Sequence, residues 1–193
     1  MPSLFRTKNL LPSSPGGFLL AALPIFGVIA FALWLTADAA VENVRFAQTT
    51  GQLLNLISLL QGDAAKEPNF GLQAQEDLVA TLIRRGQITG SGNDPKTWLL
   101  NSWRGAIRAM TVQPSVAQIE TDVPAADCRH LALFFGRDAR EIGLQVMEAR
   151  SGPGSWRIFY DSASLGADPD IRAVSAACGT EPFAALALVL KLR

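Results

Sequence analysis

At 193 residues the chain is long enough for one compact domain with an appended segment, and its apolar residues are so unevenly placed that the two parts differ in kind. With 17 basic and 17 acidic residues it has no formal net charge, and no stripe of Lys and Arg could neutralise several phosphates, so nucleic acid is not an expected partner. One histidine and two cysteines make a zinc centre only if His130, Cys128, Cys178 and a carboxylate all converge.

No charge occurs from Phe18 to Leu35. With Thr36 and Ala37 the run reaches about 20 residues, or about 30 Å as a helix, which matches a bilayer core. Arg6 and Lys8 precede it and Asp38, Glu42 and Arg45 follow, so the positive-inside rule puts the start in the cytoplasm and the bulk outside. Pro24 removes one backbone donor and kinks the run beside Gly27. "LTADAA" at residues 35–40 is the place where a secretory signal would be cut. Against that, helical spacing continues through Ala40, Val44, Ala47, Leu53, Leu54, Ile57 and Leu60, with polar Asn43, Gln48, Gln52 and Asn55 between them. One helix of about 40 residues is therefore predicted to leave the membrane and join the domain, ending where Gly62 supplies a left-handed residue.

"LQAQEDLVATLIRRG" predicts a second helix with Leu72, Leu78, Val79, Leu82 and Ile83 on one face, stopped by Gly86. "TGSGNDPK" at 89–96 is a surface loop. Residues 101–124 predict a strand, a turn at Gln113 to Ser115 and a second strand. Pro124 then suits a first helical position, with Cys128, Leu131, Ala132 and Phe135 on one side. Two further strands flank the Gly-Pro-Gly turn at 152–154, "IRAVSAAC" is a short helix or extended piece, and "PFAALALVLKLR" is an apolar strand. The fold class expected is α+β, a long amino-terminal helix packed on an antiparallel sheet.

If the segment after the apolar run is exported, Cys128 and Cys178 are most simply one disulfide, and closing a loop of about 50 residues is worth roughly 4 kcal/mol. Little else is reactive. Cys128 and His130 lie two apart and point in different directions on a helix, and Asp127 beside them offers no base geometry. The glycines of "GSGND" and "SGPGS" lack the strand-to-helix spacing that cradles phosphate, and "DPD" at 168–170 lacks the oxygen ligands of a calcium site. Trp98, Trp103, Trp156 and Tyr160 are expected in the core. No enzyme, cofactor or metal is expected.

A short basic leader ending in glycine, then a helix half in lipid and half on a globular head, resembles the type IV pilins and their pseudopilin relatives. Gly17 followed by Phe18 matches the junction cut by the family's prepilin peptidase, after which the new terminus is methylated. Asn101, Trp103 and Gly105 are similar to the Asn-x-Trp-Gly-Gly start of the sheet in type IVb pilins, with Arg104 in place of one glycine. Val123, Pro124 and Cys128 match their Val-Pro-x-x-x-Cys helix start, and Cys178 their second cysteine ahead of the terminal strand. The resemblance implies a leader at 1–17, a transmembrane half-helix at 18–37, an outer half at 38–61 and a globular head at 62–193. It implies a structural filament subunit for adhesion, conjugation or surface attachment, held first in the inner membrane with its head in the periplasm and later in an extracellular pilus. Its partners would be other pilin subunits, the peptidase and inner-membrane assembly machinery. Ala22 departs from the family, which places a glutamate at that fifth mature position to pair with a neighbour's terminus; a minor, tip-placed subunit lacks that need. The alternative is a signal-anchored periplasmic binding module that does not polymerise.

Overall fold

A computed structural model of the chain describes residues 15–67, 70, 75–91, 99–164 and 169–192, with the side chains of 15–36 and of Asp38 outside the description. The chain divides into two compact units, Met1–Val44 and Arg45–Arg193. The first holds the leading part of helix α1, which runs Pro15–Lys66 over 52 residues. Among the described residues no helix is long and apolar enough to cross a membrane.

The second unit is α+β, and its six-stranded sheet is antiparallel at every pairing. In chain order it comprises the rest of α1, α2 (Leu78–Arg84), β1 (Leu99–Leu100), β2 (Ala106–Gln113), β3 (Val116–Pro124), α3 (Ala125–Arg137), β4 (Leu144–Ser151), β5 (Arg157–Asp161), α4 (Ile171–Cys178) and β6 (Phe183–Lys191). The order across the sheet is β1-β2-β3-β6-β4-β5. β6 thus lies between strands that precede it in the chain and is flanked along both edges. Ala184 to Leu188 and Leu190 are all buried. β3 alternates instead: Ala117, Ile119, Thr121 and Val123 are buried, and the residues between them are half-buried.

Those inward β3 residues pair with Leu190, Leu188, Leu186 and Ala184. Together with Ile107 and Ala109 of β2 and Met147 and Ala149 of β4 they join one core with Leu53, Leu56, Ile57 and Leu60 of α1. α3 adds Cys128, Leu131, Ala132 and Phe135, and α4 adds Val174, Ala177 and Cys178.

Several expectations shift. α1 passes through Gly62, which has no left-handed φ, and continues to Lys66. The reason is tertiary: buried Asp63 accepts hydrogen bonds from Arg85 and Gln87, which holds that last turn against the domain. The buried stripe of α1 is also turned from the predicted one, for Val44 and Leu54 are exposed while Thr49 and Thr50 are buried. α2 begins at Leu78, capped by the Asp77 carboxylate accepting from Ala80 N, and Leu72 lies outside the described residues. Gly86 does take the left-handed φ expected of a helix stop. Residues 101–105 form a tight loop rather than the start of a strand, and Pro124 ends β3 as the cap of α3 instead of opening the helix. "IRAVSAAC" is helical, with the Asp170 carboxylate accepting from Arg172 N at 3.0 Å. The hairpin turn at Gln113 to Ser115, the strands either side of Gly152 to Gly154 and the terminal strand fall as expected.

Candidate functional site

Residues 101–105 fasten the sheet to α1. Asn101 is 4% exposed and uses both ends of its amide. Its Nδ2 donates to Thr121 Oγ1 at 2.9 Å and to the Asp122 carbonyl at 2.7 Å. Its Oδ1 accepts from the backbone N–H of Trp103 at 2.9 Å and of Gly105 at 2.8 Å. An asparagine that bonds its own backbone two residues on is the usual seed of a tight turn, and here the turn is also tied to the neighbouring strand. Gly105 is required because a Cβ there would run into the Asp122 carbonyl. Arg104 has φ 65°, a left-handed conformation that glycine adopts far more readily, so the residue that departs from the pilin-like pattern occupies the position where glycine is physically favoured.

The same loop grips the helix. Ser102 Oγ donates to the Arg45 carbonyl at 2.6 Å and lies 2.7 Å from Thr49 Oγ1, and Ser102 N donates to Thr49 Oγ1 at 3.3 Å. These bonds explain why Thr49 can be wholly buried. Farther along α1, Gln61 Nε2 donates to the Ile142 carbonyl at 2.8 Å. At the end of α1, Arg85 makes two bonds to Glu67, at 2.8 and 2.9 Å, besides its bond to Asp63 at 3.2 Å. The Arg85 guanidinium stacks 5.3 Å from the Phe70 ring centre, and hydrogen bonding to Glu67 raises its pKa above the ordinary arginine value.

Cys128 and Cys178 form the disulfide, with Cα atoms 5.9 Å apart, and both are fully buried. The bond joins the first turn of α3 to the last residue of α4. Pro124, the residue before α3, pairs with Phe183, the first residue of β6, so the cross-link holds the start of β6 beside the end of β3.

Two surfaces are chemically distinctive. On α3, Arg129, His130, Phe134 and Arg137 face outwards, and Phe134 stays 39% exposed. Phe46 of α1 meets His130 and Phe134 edge-on, each ring pair 6.3 Å between centres. Phe46, His130, Phe134 and Arg137 with Leu133 and Asp138 line an open cleft of about 290 Å³. On the sheet face away from the core, Glu120 and Glu148 both pair with Ala187 from opposite sides. Partial burial pushes the Glu148 carboxyl up, and the Glu120 charge adds to the rise.

Gly17, Phe18 and Ala22 fall within the helical backbone of α1, with their side chains outside the description. The His130 side chain is 69% exposed, with its Nδ1 4.0 Å from Asp127 Oδ1 and the Phe46 ring edge-on to its own. Among the described residues no group of three or more His, Cys, Asp or Glu side chains could hold a metal ion. Tyr160 is buried as expected, while Trp103 and Trp156 are half-buried, the latter under the Arg150 guanidinium at 4.8 Å. Trp98 and Asp168 lie outside the described residues. Asn101, Trp103 and Gly105 stand out in the sequence by their likeness to the start of the pilin sheet and not as a turn; nothing in the apolar spacing pointed to Thr49 or to the Phe46 and Phe134 contact. No family model, no curated protein and no solved structure matches this chain.

Proposed function

We propose that this chain is a structural subunit of a type IVb-like pilus, with residues 1–17 removed by a prepilin peptidase after Gly17 and Phe18 becoming the mature terminus. The uncharged run from Phe18 to Leu35 spans the inner membrane before assembly, with the domain in the periplasm, and afterwards bundles with the same run of other subunits in an extracellular filament. The observation that supports this most is α1 itself, a helix of 52 residues whose later part buries a stripe against an antiparallel sheet, the last strand of which is tied in by the Cys128–Cys178 bond. Such a subunit works by packing and has no catalytic centre, cofactor or metal. Ala22 in place of a carboxylate favours a minor or divergent subunit.

Intact-mass spectrometry of the protein from its native membrane tests this: a chain beginning at methylated Phe18 is expected, and an intact Met1 would refute it. A second arrangement, a signal-anchored periplasmic module that does not polymerise, also accommodates Ala22, which offers a neighbour no ion pair. Gly17→Val separates the two, since it blocks maturation and filament formation in a pilin and changes nothing in the anchored module.

A further inference from the structure

We propose that the outward face of α3, together with Phe46, docks on the phospholipid headgroup layer of the bilayer in which the chain is anchored. This rests on the assignment of residues 18–37 as a membrane span. α3 is two-sided: Cys128, Leu131, Ala132 and Phe135 are buried in the core, and Arg129, His130, Leu133, Phe134 and Arg137 make up the other face. A phenylalanine left 39% exposed in the middle of that face, with arginines on either side, offers a headgroup layer an aromatic ring and phosphate-binding cations together. Aromatic rings settle at headgroup level, and guanidinium forks match phosphate oxygens while their aliphatic stems lie along apolar surface. Phe46 widens the aromatic surface by meeting both His130 and Phe134, and the cleft these rings line is open to the outside. The carboxylates of the helix do little to oppose this. Asp127 is only 15% exposed and lies beside His130, and Asp138 sits past the last helical turn.

Chain length supplies the occupant. Ala37, the last residue of the span, and Phe46 are so close in sequence that even a fully extended backbone separates them by roughly 30 Å. The aromatic patch is therefore tethered near that membrane surface whatever the orientation of the domain, and the effective concentration of headgroups around it is high.

The test uses the full-length protein in phosphatidylcholine and phosphatidylglycerol nanodiscs, with a nitroxide on His130→Cys in one sample and on Ala32→Cys in another. Collision rates with oxygen, which concentrates in lipid, and with an aqueous nickel chelate report depth. At position 130 the oxygen-to-nickel ratio is expected to be several-fold above that of a free nitroxide in buffer, and to return to the buffer value when Phe46→Ser and Phe134→Ser are added. A buffer-like ratio at 130 with a lipid-like ratio at 32 overturns the docking and leaves the anchor standing. A buffer-like ratio at both positions overturns the membrane span and the docking with it. A lipid-like ratio at 130 that survives both serine substitutions overturns the role assigned to the rings.

Discussion

Replacing Asn101 by alanine should remove more stability than any other single change of a polar side chain in the domain. The substitution deletes four hydrogen bonds, two given and two received, at a site that is 4% exposed. Their partners are left behind: the N–H groups of Trp103 and Gly105, the Asp122 carbonyl and the Thr121 hydroxyl. A buried polar group stripped of its partner costs about 1–3 kcal/mol, and water reaching the partly buried members of this set offsets some of that, so the expected loss is about 3–5 kcal/mol. For a domain whose whole stability is about 5–15 kcal/mol, that is from about a fifth of it to nearly all of it. Urea titration of the full chain in a non-ionic detergent, followed by tryptophan emission, measures the shift in midpoint, provided the slope stays constant. Thr121→Val provides the internal scale, because it removes only one of the four bonds and should cost about 1 kcal/mol. A loss below about 1 kcal/mol for Asn101→Ala, or equal losses for the two variants, would refute the idea that one amide organises the whole loop.

Three further outcomes are expected. Arg104→Gly should raise stability by about 0.5–1 kcal/mol, since the left-handed φ of 65° suits glycine and the arginine is exposed; a lower urea midpoint would count against it. Cys128→Ala with Cys178→Ala should lower stability by about 4 kcal/mol, the worth of closing a 50-residue loop, and adding a reductant to the unsubstituted protein should approach the same loss. Glu148→Gln should stabilise the protein at neutral pH and not in acid. Burial and the Glu120 charge raise the folded-state pKa of Glu148 above its ordinary 4.5, so the folded form holds the proton more tightly than the unfolded form. Stability from that proton is complete below the ordinary value and is lost as pH rises through the raised one. The gap in Tm between variant and parent should therefore widen from about pH 4 to about pH 7, and a gap independent of pH would show the cause to be packing.

What could be read in advance followed the physics each pattern reports. The unbroken apolar run of β6 and the side of α3 carrying Cys128, Leu131, Ala132 and Phe135 are statements about which residues meet the core, and apolar spacing reports that directly. Spacing failed on α1 because part of its buried face is threonine, and the burial of Thr49 is licensed by Ser102, a residue far away in sequence. It failed at Gly62 for the same reason: the helix end is set by Arg85 and Gln87 reaching Asp63. β1 is two residues long and pairs only with the start of β2, too short to carry a period at all. The Cys128–Cys178 bond was legible from two cysteines in a segment read as exported, but the aromatic cleft was not, because Phe46 and Phe134 come from different helices and look like ordinary core residues.

The place of β6 has a consequence for how the domain forms. β3 and β4 never pair with each other; each has β6 as its partner on the inner side. While the chain emerges in order, β1 to β3 can assemble as one ribbon and β4 with β5 as another, and both ribbons show a raw hydrogen-bonding edge until β6 follows. The two halves are thus obliged to wait, and the interval is one in which a stray extended segment or a neighbouring chain could occupy the vacant lane. Pairing Cys128 with Cys178 in that interval would draw the start of β6 to the end of β3 and shorten the wait. A thiol oxidant acting on the emerging chain would then serve speed and fidelity of assembly as much as the strength of the finished domain.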